Sequence, residues 1–213
     1  VAFTMRTRAI LAVVVVAGFL GGGALLASDA VHGGGATAEQ QQQKAQEQRA
    51  QAVNPAVHLQ LEYVLKYWQN YNLTEYGEVP DNDCVDFASQ SLIARGWTMD
   101  SEWWSEGTGE DFDFSSAWVS STAFRDYLAD SGRATVLSDS QRDQVKLGDI
   151  VQFDWDNLGD RDHTGIVTRI EGSGDDLEIF YAGHTDDTDY RSVDWAITVN
   201  HPGASVYYWS IPE

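Results

Sequence analysis

The sequence predicts an α+β domain, with helices first and an antiparallel sheet after them. Three observations lead there: apolar residues recur at three-and-four spacing between positions 55 and 128, short β-branched and aromatic runs take over after Gly148, and all eight tryptophans and nine tyrosines lie beyond position 53. A stretch so rich in aromatic residues can bury a core.

The first helix is expected over Pro55 to Tyr71, where Val57, Leu61, Val64, Leu65 and Trp68 share one stripe. Asn54-Pro55 supplies a capping side chain followed by a proline at the first helical position. Cys84 to Ala94 repeats the pattern with Phe87, Ala88, Leu92 and Ile93 and stops near Gly96, which places Cys84 in the first turn. Trp118 to Leu128 is the third helix, with Ser115 or Ser116 placed to cap it. Strands are expected over 150–153, 165–170, 177–181 and 205–209, separated by Gly and Asp turns.

The chain divides into three parts. Met5-Arg6-Thr7-Arg8, the apolar run Ala9 to Leu20 and the small residues ending at Ser28-Asp29-Ala30 have the layout of a secretory signal; extended to Ala27, the run also suits a membrane anchor. Residues 1–30 are therefore read as signal peptide or anchor, and the protein as secreted or attached to the cell envelope. Residues 31–53, rich in Gly, Gln and Ala, form a linker that cannot bury a core. Residues 54–213 form the one folded domain. A formal net charge of −20 makes nucleic acid an improbable partner and suits neutral or cationic substrates.

Cys84 is the only cysteine. An exported chain has little structural use for one unpaired thiol, and Asp162-His163-Thr164-Gly165 downstream offers a base. A thiol at a helix N-terminus is expected to have a lowered pKa, and the Cys84 amide can donate to an oxyanion. Tyr71, Tyr76 and Asn82 are candidates for a second donor, and Asp83 for holding a cationic substrate group. The plainer readings are that Cys84 is a small core residue, that His163 is a satisfied structural histidine and that His184 sits in an exposed turn. His58 and His201 read as surface residues. Trp97, Trp103, Trp104 and Trp118 suit either a core or a sugar or peptide groove.

Asp154 to Asp162 alternates acids around Gly159 like a calcium loop, but Leu158 and Gly165 stand where an EF-hand needs oxygen ligands. It is read as a solvated acidic hairpin with no metal.

The spans Tyr67-Trp68-Gln69-Asn70-Tyr71, Asn82 to Gln90, Trp103-Trp104 with Ser116 to Val119, Gly148 to Trp155, Asp162 to Thr168 and His184-Thr185 occur in the order seen in the putative amidase domain family, which the chain resembles from about Leu61 to Asp187. That family looks like a branch of the papain-like cysteine hydrolases, akin to NlpC-type endopeptidases and CHAP amidases. The resemblance implies a papain-like fold with the nucleophile helix packed on an antiparallel sheet. It makes Cys84 the nucleophile, His163 the general base and acid, and His184 the residue that orients His163. The expected activity is cleavage of an amide in peptidoglycan or a peptide through a thioester, by a protein expected to be a monomer without cofactor. The sequence departs from the family at Val85-Asp86, where a small hydroxyl residue and Asn are usual; an added carboxylate there should oppose thiol ionisation. The alternative is a catalytically silent cell-wall or protein-binding module on the same fold.

Overall fold

The computed structural model describes residues 54–77, 79–80 and 82–212. The expected signal or anchor (1–30) and linker (31–53) lie outside the described residues.

Helix α1 (Pro55–Tyr67) opens as its sequence requires: Asn54 Oδ1 accepts from the Ala56 amide at 2.8 Å, with Pro55 in the first turn. It stops short of Tyr71: the Trp68 amide donates to the Val64 carbonyl at the end of the helix, and the Tyr67 carbonyl meets His184 Nε2 instead of continuing the helix. Its buried face is narrower than expected: Val57, Gln60 and Val64 point inward, whereas Leu65 is exposed. Helix α2 (Cys84–Ala94) has the expected bounds and is the centre of the molecule, with nine of its eleven residues buried.

The third expected helix is two: α3 (Ser116–Val119) and α4 (Ser121–Ser131). Ser120 between them is extended, and its hydroxyl accepts from the Ala123 amide at 3.3 Å, so a cap interrupts what periodicity alone reads as continuous. Gly132, at φ +65°, ends α4 in the left-handed region. Before α3, a two-residue ribbon pairs β1 (Ser105–Glu106) with β2 (Asp113–Phe114).

The main sheet has six strands: β3 (Thr135–Ser138), β4 (Ile150–Asp154), β5 (His163–Glu171), β6 (Glu178–Gly183), β7 (Thr188–Ser192) and β8 (Ser205–Ser210). Every pairing is antiparallel, in the order β3-β8-β4-β5-β6-β7. The four expected strands are its interior. The two that sequence reading missed, β3 and β7, are its edges, where one neighbour is absent and the apolar alternation that marks a strand is weak.

Directly opposed residues of an antiparallel pair share a face. One face, with Ile150, Ile166, Ala182 and Trp209, packs on Cys84, Val85, Phe87, Ala88 and the helices α1 to α4. The other, with Val151, Phe153, Val167, Tyr181, Val206 and Tyr208, is covered by Val193, Ala196 and Ile197 of a short C-terminal helix, α5 (Val193–Trp195), and the turn that continues it. Gly148 joins the layers: its carbonyl accepts from Gln60 at 3.0 Å and Arg95 at 3.3 Å, and at φ +80° a Cβ would lie 2.5 Å from Gln60 Oε1.

Candidate active site

Cys84 is the first residue of α2 and is 1 % exposed. Its sulfur lies 3.6 Å from Ser121 Oγ and 3.9 Å from Asn82 Oδ1. A chain of buried bonds continues from there. Thr164 donates to Ser121 Oγ at 3.0 Å, Gln152 donates to Thr164 Oγ1 at 3.0 Å, and Trp209 Nε1 donates to Gln152 Oε1 at 2.8 Å. Burial pushes the thiol pKa up; the Ser121 hydroxyl and the backbone of Thr164 and Val85 pull it down but do not prevail. The expected lowering by the helix N-terminus is thus overturned. A helix dipole is worth about 1 kcal/mol, less than the cost of ionising a group withdrawn from water.

Asp83, at the cap position of α2, makes no capping bond. Its carboxylate meets His184 Nδ1, while His184 Nε2 lies 2.9 Å from the Tyr67 carbonyl oxygen. A carbonyl only accepts, so Nε2 carries a hydrogen. The imidazole is stacked between Phe87 (3.7 Å between centroids) and Tyr71 (3.9 Å), and it is buried rather than exposed in a turn. Asp83, so engaged, is not free to bind a cationic substrate group. The Tyr71 hydroxyl donates to Asp187 at 2.8 Å, and Tyr76 stacks on Trp118. Of the oxyanion candidates, Asn82 is the one beside the sulfur.

Asp86 accepts from Trp118 Nε1 at 2.5 Å and Gln90 Nε2 at 2.8 Å. Burial, then the charge of Asp83, push its carboxyl up to about 8, so it is neutral at pH 7. The carboxylate that opposes ionisation of the thiol is therefore Asp83, not Asp86.

His163 opens β5 and pairs with Phe153. Its ring sits among Phe153, Trp155 and Tyr181, at 5.9, 5.9 and 6.1 Å between centroids, on the sheet face away from α2. Burial and the Arg191 charge lower its pKa to about 4. Among the described residues, its ring nitrogens have no hydrogen-bond partner. The expected Cys84–His163 bond is not made, because strand alternation turns Thr164, not His163, toward the thiol. The expected His184–His163 bond is not made either, both nitrogens of His184 being taken by Asp83 and Tyr67.

Ser121 and Thr164 beside the sulfur, and Gln152 bonded to both, were not found from sequence. Ser121 is one of several hydroxyl residues between positions 115 and 122, and nothing local distinguishes it. Trp103 and Trp118 are fully buried, 4.9 Å apart, and so are core. His58 is on the surface beside Glu62, whereas His201 stacks on Trp155 at 4.0 Å.

A family model described as "Putative amidase domain" matches residues 47–209. The "Uncharacterized protein YjcM" of Bacillus subtilis (strain 168) is 34 % identical over 116 residues, which cover 49 % of this chain and 26 % of that protein; the chain therefore spans about a quarter of the relative's length. No solved structure matches.

Proposed function

Because the chain belongs to the putative amidase domain family, we propose that it hydrolyses an amide bond with Cys84 as nucleophile, as a secreted or envelope-associated enzyme acting on the peptide amides of peptidoglycan. The observation that carries this reading is the place of the only cysteine. It opens the buried helix α2, the Thr164 backbone is beside its sulfur, and the residue before Thr164 is a histidine whose ring nitrogens have no hydrogen-bond partner among the described residues.

In this reading the Cys84 sulfur adds to the substrate carbonyl carbon while its proton passes to His163. The imidazolium returns that proton to the departing amine nitrogen as the carbon–nitrogen bond breaks. Water, giving a proton to the same imidazole, then hydrolyses the thioester to a carboxylate and the free thiol. Because His163 starts on the sheet face away from α2, among Phe153, Trp155 and Tyr181, the backbone at the start of β5 must shift so that the imidazole reaches the thiol, with the Asp83–His184 pair bracing the α2 N-terminus.

A specific observation favours a second reading, a silent binding module: the thiol is buried, its pKa is raised and, among the described residues, no base is bonded to it. Incubating the protein with purified cell wall and analysing the released fragments by mass spectrometry tests the first reading. Fragments carrying a new amine and a new carboxylate support it. Retention of the protein on insoluble wall with no new fragments supports the module.

A further inference from the structure

Between β4 and β5 the chain turns through Asp154, Asp156, Asp160 and Asp162, and one carboxylate oxygen from each lies within 4.8 Å of the others. Three of these residues are exposed, which alone would mean only a solvated acidic turn. Asp154 is different. It is 2 % exposed, and its Oδ1 is buried without a hydrogen-bond partner. A buried acceptor left unpaired costs about 1–3 kcal/mol, more for a charged group, so this oxygen, on the one buried residue of the cluster, calls for a ligand.

The cations already nearby do not supply one. Arg161 Nη1 is 3.9 Å from the other oxygen, Asp154 Oδ2, donates to the Asp160 carbonyl at 2.7 Å and carries its guanidinium over the Tyr207 ring. Arg125 donates to the Gly159 carbonyl at 2.6 Å. Asp154 Oδ2 also accepts from the Gly159 amide, Asp156 Oδ1 from the Leu158 amide and Asp162 Oδ2 from the Trp155 amide, so one oxygen of each of these three carboxylates holds the loop in shape.

We propose that the β4–β5 loop binds one calcium-class divalent cation through carboxylate oxygens of Asp154, Asp156, Asp160 and Asp162, with water completing the shell. Oxygen-only ligands of this number suit a large hard cation that accepts irregular geometry, rather than zinc, which takes nitrogen and sulfur. This differs from the metal-free hairpin expected from sequence. The EF-hand template rejected the loop at Leu158 and Gly165, but a strand-to-strand loop with a buried aspartate at its start does not need ligands at those positions.

Trp155 lies inside the loop, so bound Tb³⁺ is sensitised by tryptophan excitation. The full chain is titrated with Tb³⁺, and the emission is then competed with Ca²⁺. The expected result is saturable emission at one equivalent, displaced by Ca²⁺, and a melting temperature that rises with Ca²⁺ and falls back with chelator. Asp156→Asn and Asp160→Asn are at exposed positions and leave the fold intact; each should weaken binding at least tenfold. Asp154→Asn should abolish it. Absence of saturable emission and of any thermal shift up to about 1 mM Ca²⁺ overturns the site, that being the weak end of natural calcium loops. Binding unchanged by both Asp156→Asn and Asp160→Asn overturns it too, since the signal would then come from the acidic surface at large.

Discussion

Asp83 and His184, 101 positions apart in the chain, meet side chain to side chain in the interior, where the carboxylate at the start of α2 engages the ring that follows β6. This contact ties helix α2 to the sheet at the residue next to Cys84. Asp83→Ala should cost about 2–3 kcal/mol in urea unfolding, the usual loss for a buried charged hydrogen bond. A double-mutant cycle with His184→Gln should show strong coupling; additive effects would mean that the pair does not hold the two elements together.

Asp86 sets a pH dependence of stability. Its pKa is raised from 3.8 to about 8 on folding, so its favourable contribution is complete below about pH 4 and is lost as pH rises through 8. Asp86→Asn keeps the shape and the bond from Trp118 without the titration. The variant should match the wild type near pH 4 and melt several degrees higher near pH 8. Parallel melting curves across that range would show that Asp86 is ionised in the folded protein.

The thiol should react slowly. With Cys84 1 % exposed and its pKa raised by burial, iodoacetamide should modify the native protein far more slowly than it modifies the unfolded chain at pH 8. Ser121→Ala removes a bond that favours the thiolate and should slow the reaction further. Alkylation as fast as that of the unfolded chain would contradict the burial of the sulfur.

The two histidines should separate in their effects. His163→Ala should reduce kcat by about 10²–10⁴, the usual share of general acid–base catalysis, and should lower the melting temperature less than His184→Ala does, because it leaves a cavity among Phe153, Trp155 and Tyr181 but, among the described residues, breaks no hydrogen bond. His184→Ala should lower the melting temperature markedly, since it removes the partner of Asp83 and a ring stacked between Phe87 and Tyr71. The reverse pattern would make His184 the acid–base group.

Much of this fold was legible because local signals and burial agree. Asn54-Pro55 starts α1 and the apolar spacing of residues 84–94 bounds α2, since each is both a good local choice and a buried face. The edge strands β3 and β7 were not legible, because an edge needs no apolar alternation. The break at Ser120 was missed because a serine cap inside an apolar repeat looks like any exposed helical serine. For the candidate site, sequence reading proposes residues but not their arrangement. Alternation along β5 shows that His163 and Thr164 face opposite ways, but only the pairing with β4 and the packing of α2 decide which of them meets Cys84. The raised thiol pKa is likewise a product of tertiary burial, which the helix N-terminus alone does not reveal.

The measurement that bears most directly on Cys84 as the nucleophile of an amide hydrolase is the release of free amino groups from purified peptidoglycan by wild type and by Cys84→Ser at equal melting temperature. The substitution keeps size and hydrogen bonding but raises the pKa of the nucleophile far beyond what a histidine tuned for a thiol can manage. The account predicts steady amine release by the wild type and a fall of several orders of magnitude in the variant. Equal release by the two proteins, or none from either while both bind the wall, would contradict it.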